Sequence, residues 1–275
     1  MDNMKAEAGV TINEATERLV PTVPMELFYR RFRKLKGSKK EQFKLLHESL
    51  NDRHGPKGSI FLAELFRRSV RHSEHYSNVA EPFYSVRKDR VATKYPFAKA
   101  LVRELKNGTK IQALDHLIEF VDYEIFPFRT TKSCCENGKP ATKIGSGGMD
   151  LLLASTFDGV VVPAIGEIKA ATENVGPTFA LVQSLMYAAQ LLTQNQTLRL
   201  NKQYHSAFST VDGTQPRMDL IALLEVDHKL NTDDLKYAQS IADDLVVSLS
   251  TYLRRIVFYS CTIDDHAIKC EAVKT

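Results

Sequence analysis

Residues 145–170 read GSGGMDLLLASTFDGVVVPAIGEIKA, and this stretch decides the fold. Two short apolar runs flank an Asp-Gly pair, Asp158 and Gly159. Asp-Gly is a preferred dipeptide of tight hairpin turns, and β-branched residues dominate the second run. The stretch therefore predicts a β-hairpin. Because both runs are apolar at consecutive positions, the sheet that contains them is expected to be covered on both faces.

The predicted hairpin carries three charged side chains in apolar surroundings. Asp150 begins the first run, and Glu167 and Lys169 end the second. Successive side chains of a strand point to opposite faces, so Glu167 and Lys169 share a face while Ile168 points away. Antiparallel pairing brings the start of the first strand beside the end of the second. The sequence therefore predicts that Asp150 lies close to Glu167 and Lys169.

A divalent metal would offset the free-energy cost of placing these charges in an apolar sheet. The carboxylates of Asp150 and Glu167 and the backbone carbonyl of Ile168 form an oxygen-rich set suited to Mg²⁺ or Mn²⁺. Such a metal binds a phosphate oxygen and lowers the pKa of an attacking water. Lys169 would orient that water or offset the negative charge that develops. The pattern predicts hydrolysis of phosphodiesters.

A long helix is predicted after the hairpin, over residues 179–193, with Pro177 at the position that proline favours near a helix start. The helix is apolar around nearly its whole circumference. Its polar exceptions Gln183, Tyr187 and Gln190 are spaced i, i+4 and i+7, so they form one stripe. A buried helix with a single polar stripe predicts a polar cleft beside it.

The charged residues of the hairpin resemble the signature of the PD-(D/E)xK nuclease superfamily, which shares the fold of the restriction endonucleases. Asp150 matches the first acid of that signature, and Glu167 and Lys169 match its ExK element. Met149 stands where the signature has proline. The resemblance implies that Asp150 lies at the start of the second strand of the core and Glu167 on the third.

The helix after the hairpin resembles the RecB-like branch of this superfamily. In that branch a glutamine, and a tyrosine four residues later, follow the ExK strand. Gln183 and Tyr187 have that spacing. The resemblance implies that Gln183, with Tyr187 as a further candidate, holds Lys169 or a phosphate.

The resemblance also implies a fold and an activity. The fold is α/β, with an α-β-β-β-α-β core in which helices flank a mixed central sheet. The activity is that of a metal-dependent nuclease, a phosphodiesterase that uses Mg²⁺ or Mn²⁺ on nucleic acid, DNA in preference to RNA. The catalytic residues would be Asp150, Glu167, Lys169 and Gln183, and the metal would be held by Asp150, Glu167 and Ile168. Homodimerisation would allow cleavage of two strands, and the sequence does not decide it.

The core is expected to begin near residue 96. The pattern predicts a helix over residues 97–105, a second helix over 111–121 and a strand over 123–131. Nucleases of the superfamily often carry a further acid on the first core helix, and Glu119 and Glu124 are the candidates. Glu119 falls on the predicted second helix, and Glu124 falls where helix passes to strand. For either residue a solvated carboxylate is the alternative, so the choice stays open.

The elements after the long helix are expected to complete the fold. Residues 198–214 are interpreted as a loop. A strand over residues 218–226, a helix from 233 to about 253 and a final strand over 255–261 are predicted to follow it.

The chain before residue 96 is predicted to be a helical, basic accessory region, which divides the protein into residues 1–95 and 96–275. Aromatic and leucine side chains alternate there with a dense group of basic ones. The basic residues assigned to nucleic-acid binding are Arg30, Arg31, Arg33, Lys34 and Lys36. The segment fits an amphipathic helix that contacts phosphates, and it also fits a solvated surface helix.

Composition sets the remaining bounds. The chain has 275 residues, of which 43% are hydrophobic, and a net charge of +4, which supports a substantial core but does not itself indicate nucleic acid. Its four cysteines contain no CxxC pair, so a zinc site is not expected. A reducing, cytoplasmic compartment is expected instead. We find no signal peptide and no apolar run of membrane length, so no membrane partner is predicted.

Two other interpretations account for the same residues. One is a nucleic-acid-binding or assembly module on the same fold that performs no turnover. The other is an unrelated α/β protein in which Asp150 lies near a simple salt bridge between Glu167 and Lys169. The second interpretation leaves the polar stripe of the helix unexplained. A large separation between the carboxylates of Asp150 and Glu167 would support it.

Overall fold

The computed structural model describes residues 23–33, 39–50, 58–74, 83–85, 95–113, 116–130, 135–136, 139–140, 148–173, 175–208, 210–211, 217–226, 232–264 and 267–273. The α-helices in these ranges are α1 (Pro24–Arg33), α2 (Lys39–Leu50), α3 (Gly58–Glu74), α4 (Pro96–Lys106), α5 (Pro177–Leu191), α6 (Gln194–Gln203), α7 (His205–Phe208) and α8 (Thr232–Ser248). A short 3₁₀ helix spans Ala171–Glu173.

The strands are β1 (Phe83–Ser85), β2 (Ile111–Ala113), β3 (His116–Thr130), β4 (Cys135–Glu136), β5 (Lys139–Pro140), β6 (Met149–Phe157), β7 (Val160–Lys169), β8 (Met218–Glu225), β9 (Leu253–Asp264) and β10 (Ala267–Ala272). One sheet has the order β1-β3-β6-β7-β8-β9-β10, with β2 paired to β3, while β4 and β5 pair separately. Strands β3, β6 and β7 are antiparallel, and β7, β8 and β9 are parallel. The fold is therefore mixed α/β.

The predicted hairpin is confirmed as β6 and β7. Phe157 pairs with Val160, so the connection is the two residues Asp158 and Gly159. Both have positive φ, 49° and 74°. Two positive φ values are what a type I′ turn requires, and Asp-Gly adopts them at little cost. The turn chemistry of the sequence therefore sets the register of the hairpin.

The helix predicted over residues 111–121 is wrong, because β2 and the first part of β3 occupy that segment. Its apolar positions fit a helical spacing, but burial in the structure alternates along a strand: His116 and Ile118 are buried, and Leu117 and Glu119 are half-buried. β3 pairs with β6 from His116 to Ile125, and this pairing holds the segment in the extended conformation of a strand. Glu119 consequently lies on a strand.

The loop predicted over residues 198–214 is also wrong in its first part, where α6 and α7 lie. The Thr193 side chain accepts a hydrogen bond from the Gln196 backbone N–H and caps α6. Arg199 on α6 is 2% exposed and donates to the Pro127 carbonyl at 2.9 Å. Polar side chains of this segment satisfy buried backbone groups, which is why a polar stretch forms a packed helix here.

The other predicted elements are confirmed with small changes of bounds. They are α4, which ends at Lys106 and is followed by Asn107 and by Gly108 with φ 93°, the long helix α5, the strand β8, the helix α8 and the strand β9. The long helix is buried at every position. It packs against β7, β8, α3 and α8, which explains why it is apolar all round.

The first helices share a core with the sheet. Buried side chains of α1 and α3, including Tyr29 and Phe66, belong to one cluster with those of α5 and α8. Helix α4 covers the opposite face of the sheet, where its buried side chains form a second cluster with Ile168 of β7. The division of the chain near residue 95 stays a prediction. No helix in the described ranges is long and apolar enough to span a bilayer.

The hairpin of β9 and β10 contains a disulfide that the sequence reasoning missed. Cys261 and Cys270 are directly opposite in the register and are bonded to each other. Metal-ligand spacing does not predict this pair, because the two cysteines are nine positions apart and only the hairpin brings them together. The expected reducing compartment stays a prediction.

Candidate active site

The three charged residues of the hairpin meet where β6 begins and β7 ends. Register places Asp150 one residue beyond the Leu151–Gly166 pair, beside Glu167. An Asp150 carboxylate oxygen accepts a hydrogen bond from the Ile168 backbone N–H at 3.0 Å. The Asp150 charge also acts on the Glu167 carboxyl. The large separation that would have favoured a simple salt bridge is therefore not observed.

Glu167 and Lys169 form a buried ion pair. The Lys169 ammonium lies 2.6 Å from Glu167 Oε1, and the two side chains are 10% and 0% exposed. Burial and the Asp150 charge raise the pKa of Glu167 well above its ordinary value. Burial alone would lower the pKa of Lys169, but the charges of Glu167 and Asp150 outweigh it and raise that pKa. Lys169 therefore remains an ammonium at neutral pH.

Glu124, rather than Glu119, lies beside this pair. On β3, Tyr123 pairs with Leu151 and Ile125 with Met149, which places Glu124 opposite Asp150. Burial, and then the Asp150 charge, raise the pKa of Glu124 to about 7. Glu119 lies further along β3, where it forms an ion pair with Lys110 at 2.6 Å. Of the two acids that the sequence left open, the structure brings only Glu124 to Asp150.

The backbone at Glu124 is unusual for a strand. Its φ is 49°, in the left-handed region that residues with a Cβ seldom adopt. The β3–β6 register shifts just before it, between Phe120 and Asp122. Conformations of this kind cost of order 1 kcal/mol and recur at functional sites. Here the bend turns a carboxylate toward Asp150 in the middle of a long strand.

Two carboxylate oxygens at this site are buried without a hydrogen-bond partner in the described part of the chain: Glu124 Oε2 and Glu167 Oε2. The Asp150 charge acts on both of these glutamates. Unpaired buried carboxylate oxygens are costly, and a hard divalent cation satisfies them. The chemistry of Asp150 and Glu167, with Glu124 beside them, thus fits Mg²⁺ or Mn²⁺.

No group of three or more His, Cys, Asp or Glu side chains within the described ranges is arranged to hold a metal ion. A cation here would rely on backbone oxygens and water for its other ligands. Mg²⁺ commonly keeps several waters and binds through one or two carboxylates. The carbonyl of Ile168, predicted as a ligand, lies between Glu167 and Lys169 on β7.

The three polar side chains of the α5 stripe form hydrogen bonds with three different partners. Gln183 Oε1 accepts from Lys169 at 3.3 Å. The Tyr187 hydroxyl donates to the Gly148 carbonyl at 2.9 Å, so it holds the chain just before Asp150. The Gln190 amide donates to Glu26 at 3.3 Å. Gln183 is thus next to the ion pair, while Tyr187 acts on the backbone that carries the first acid.

Two residues near the site were missed by sequence reasoning. Tyr29 of α1 donates to Gln183 Oε1 at 2.7 Å. Tyr204 donates to Asp122 at 2.8 Å, beside the irregular stretch of β3 that precedes Glu124. No local pattern could have found these contacts, because the partners are far apart in sequence and neither tyrosine falls in a motif.

The basic segment proposed to bind nucleic acid is described only in part. Its first residues, 30–33, lie on α1, where Arg30 forms an ion pair with Glu26 at 2.6 Å and Arg31 is exposed. Arg33 is the last residue of α1. Lys34 and Lys36 lie outside the described residues. The choice between a phosphate-binding face and a solvated surface stays open.

Comparison with known proteins leaves the site to be judged on its own geometry. The chain matches no family model, no curated protein and no solved structure.

Proposed function

We propose that the protein is a metal-dependent nuclease with a restriction-endonuclease-like core. The observation that carries the proposal is the meeting of Asp150, Glu167 and Lys169 at adjacent strand ends, with a buried Glu167 oxygen unpaired within the described residues. The order α4, β3, β6, β7, α5, β8 supports it, since three antiparallel strands and a helix precede a parallel strand. Nucleic acid, DNA in preference to RNA, is the proposed substrate.

The metal ligands would be Asp150, Glu167 and the Ile168 carbonyl. When bound, Mg²⁺ or Mn²⁺ supplies a Lewis acid for a phosphate oxygen and lowers the pKa of a water. Lys169 presents a fixed positive charge in a nearly dry site, where its attraction for a phosphate that gains negative charge is strong. Gln183 restrains the ammonium from the side of α5.

Glu124 is our candidate for the group that takes a proton from the attacking water. A general base works best when its pKa lies near the operating pH. Burial and the Asp150 charge raise the pKa of Glu124 to about 7. Its Oε2 atom also lacks a protein partner among the described residues, so it is available to a water.

The test of function is a cleavage panel. Purified protein is incubated with single-stranded, double-stranded and circular DNA and with RNA, with and without Mg²⁺. We expect Mg²⁺-dependent cleavage that Glu167→Gln abolishes and Glu119→Gln leaves intact, since Glu119 is ion-paired away from the site. Failure of the wild type on every substrate, or equal cleavage by Glu167→Gln, would reject the proposal. Mg²⁺ binding by calorimetry without any cleavage would favour the binding or assembly module instead.

The raised pKa of Glu124 predicts a specific pH dependence of stability. The folded protein holds this proton up to about pH 7, whereas the unfolded chain releases it near 4.5. Stability should therefore fall as pH rises between these values, by about 1–3 kcal/mol, and level off above pH 7. Glu124→Gln should flatten that part of the curve measured by urea unfolding, and Glu119→Gln should not. Added Mg²⁺ should stabilise the protein most above pH 7, where Glu124 is ionised; equal stabilisation at pH 5 would contradict this.

A further inference from the structure

We propose that Tyr29, on the N-terminal helix α1, is a positioning residue for Lys169 that acts through Gln183. The inference rests on the proposed nuclease function and deepens it, because it adds a residue from outside the hairpin and α5 to the site. Tyr29 is 154 positions from Gln183 in the chain, and the two side chains are in direct contact. The N-terminal segment would then be part of the active site.

The contacts form a short chain that ends at the ammonium. The Tyr29 hydroxyl lies 2.7 Å from Gln183 Oε1, and the Lys169 Nζ lies 3.3 Å from the same oxygen. Lys169 Nζ lies 2.6 Å from Glu167 Oε1. As whole residues, Tyr29, Gln183 and Lys169 are 7%, 9% and 9% exposed, so water competes little for these bonds.

Donor chemistry fixes the direction of each bond. An ammonium only donates, so the Gln183 atom that faces Lys169 must be the amide oxygen. That oxygen has two lone pairs, and the Tyr29 hydroxyl must then donate to the second. With both lone pairs used, the carboxamide has one preferred orientation. Loss of the Tyr29 hydroxyl would remove one of the two bonds that hold it.

Tyr29 is itself held rigidly. The Met25 backbone N–H donates to Ser69 Oγ at 2.8 Å, which fixes the start of α1 against α3. The Glu26 carboxylate accepts a hydrogen bond at 3.3 Å from Gln190, in the last turn of α5, and this contact ties α1 to α5. The Tyr29 ring packs edge-on against Phe179 at 6.3 Å between centroids. A rigid hydroxyl is what a positioning role requires, because a mobile one would not restrain Gln183.

The test is a double-mutant cycle on the full chain. Tyr29→Phe removes only the hydroxyl and is expected to lower kcat about tenfold with little change in KM. Gln183→Leu should have an effect at least as large. If Tyr29 acts through Gln183, the double variant should be no slower than Gln183→Leu alone. Additive losses in kcat would overturn the proposal.

The matched control is Tyr252→Phe. Tyr252 is half-buried and packs against Phe66 of the same core cluster, at 5.7 Å between ring centroids, so Tyr252→Phe loses a phenol hydroxyl that is not part of the contact chain. Its phenol makes no hydrogen bond with the described residues. We expect wild-type kcat from this variant, and thermal unfolding of both phenylalanine variants guards against loss of folding. A loss in Tyr252→Phe equal to that in Tyr29→Phe would show a general packing effect and reject the positioning role.

A second readout does not depend on activity. In protein labelled with ¹³C at lysine Cε, the Lys169 resonance is identified by its absence from Lys169→Arg. Tyr29→Phe and Gln183→Leu should both shift that resonance, and Tyr252→Phe should not. An unchanged Lys169 signal in Tyr29→Phe rejects the contact chain. Absence of cleavage by the wild type rejects the nuclease proposal instead, and the shift still decides the role of Tyr29.

Discussion

Lys169→Met should lower kcat for Mg²⁺-dependent cleavage by about 10²–10³-fold, the range for removing one preorganised donor from a water-poor site. Lys169 is the ammonium paired with Glu167 at 2.6 Å, and the charges of Glu167 and Asp150 keep its pKa high. It therefore remains positive while a phosphate gains charge, which a methionine of similar length cannot imitate. Single-turnover cleavage measures the loss without interference from product release.

The control for this substitution is Lys110→Met. Lys110 forms an ion pair with Glu119 at 2.6 Å, but the two side chains are 56% and 39% exposed and lie away from Asp150, so cleavage should remain at the wild-type rate. Lys169→Met also strips Glu167 of its partner. The double variant Glu167→Gln, Lys169→Met removes that unpaired charge and should recover folding but not cleavage. A folded Lys169→Met protein that cleaves normally would exclude Lys169 from the chemistry.

Asp219→Ala should reduce the free energy of unfolding by about 3–5 kcal/mol, the range for breaking a buried ion pair by removing one partner. Asp219 is 0% exposed and accepts two hydrogen bonds from Arg254, at 2.5 and 3.0 Å. Ser155 donates to the same carboxylate at 2.5 Å. Without Asp219 the guanidinium would be left in the protein without a counter-charge.

The surroundings of Asp219 explain why the expected loss is large. His116 lies 2.6 Å from Ser155 Oγ through Nε2 and 2.6 Å from the Tyr259 hydroxyl through Nδ1. Because Ser155 gives its proton to Asp219, it accepts from Nε2–H, and Nδ1 accepts from Tyr259. Four segments of the chain are joined in this way, so one substitution disturbs several buried bonds.

The control is Asp264→Ala on the same strand as Arg254. Asp264 pairs with Lys269 at 3.4 Å, and both side chains are 66% exposed, so the loss should be under about 1 kcal/mol. Urea unfolding compares the two variants. The Asp219 network lies nearer the start of β7 than Glu167 does, since Ser155 pairs with Val162 and Asp219 pairs with Ala164. Folded Asp219→Ala protein should therefore cleave like the wild type, and a loss of cleavage without unfolding would link this network to the site.

Residues that are close in sequence were the ones that could be predicted. The hairpin followed from Asp-Gly between apolar runs, and it brought Asp150 to Glu167 and Lys169 because antiparallel strands joined by a tight turn have only one arrangement. The polar stripe on the buried helix predicted a polar cleft, the resemblance to the RecB-like branch implied that Gln183 would hold Lys169, and Gln183 does accept a hydrogen bond from it. In each case local geometry and a short connection left little freedom.

Segments with an ambiguous apolar spacing could not be predicted. Residues 111–121 fit a helix by their spacing, and only pairing with β6 makes them strand. The position of Glu124 could not be predicted either, because its place opposite Asp150 depends on a register shift that no sequence pattern indicates. Secondary structure in such segments is decided by the neighbour, not by propensity.

By itself the sequence determined the hairpin, the buried helix behind it and the meeting of Asp150, Glu167 and Lys169, because short-range stereochemistry fixes all three. Only the tertiary structure decided which further groups surround them. Glu124 lies on β3, and Tyr29 lies on a helix that begins more than a hundred residues before the hairpin. Contacts of this kind depend on how separate elements pack, and packing is a property of the whole core rather than of any local stretch.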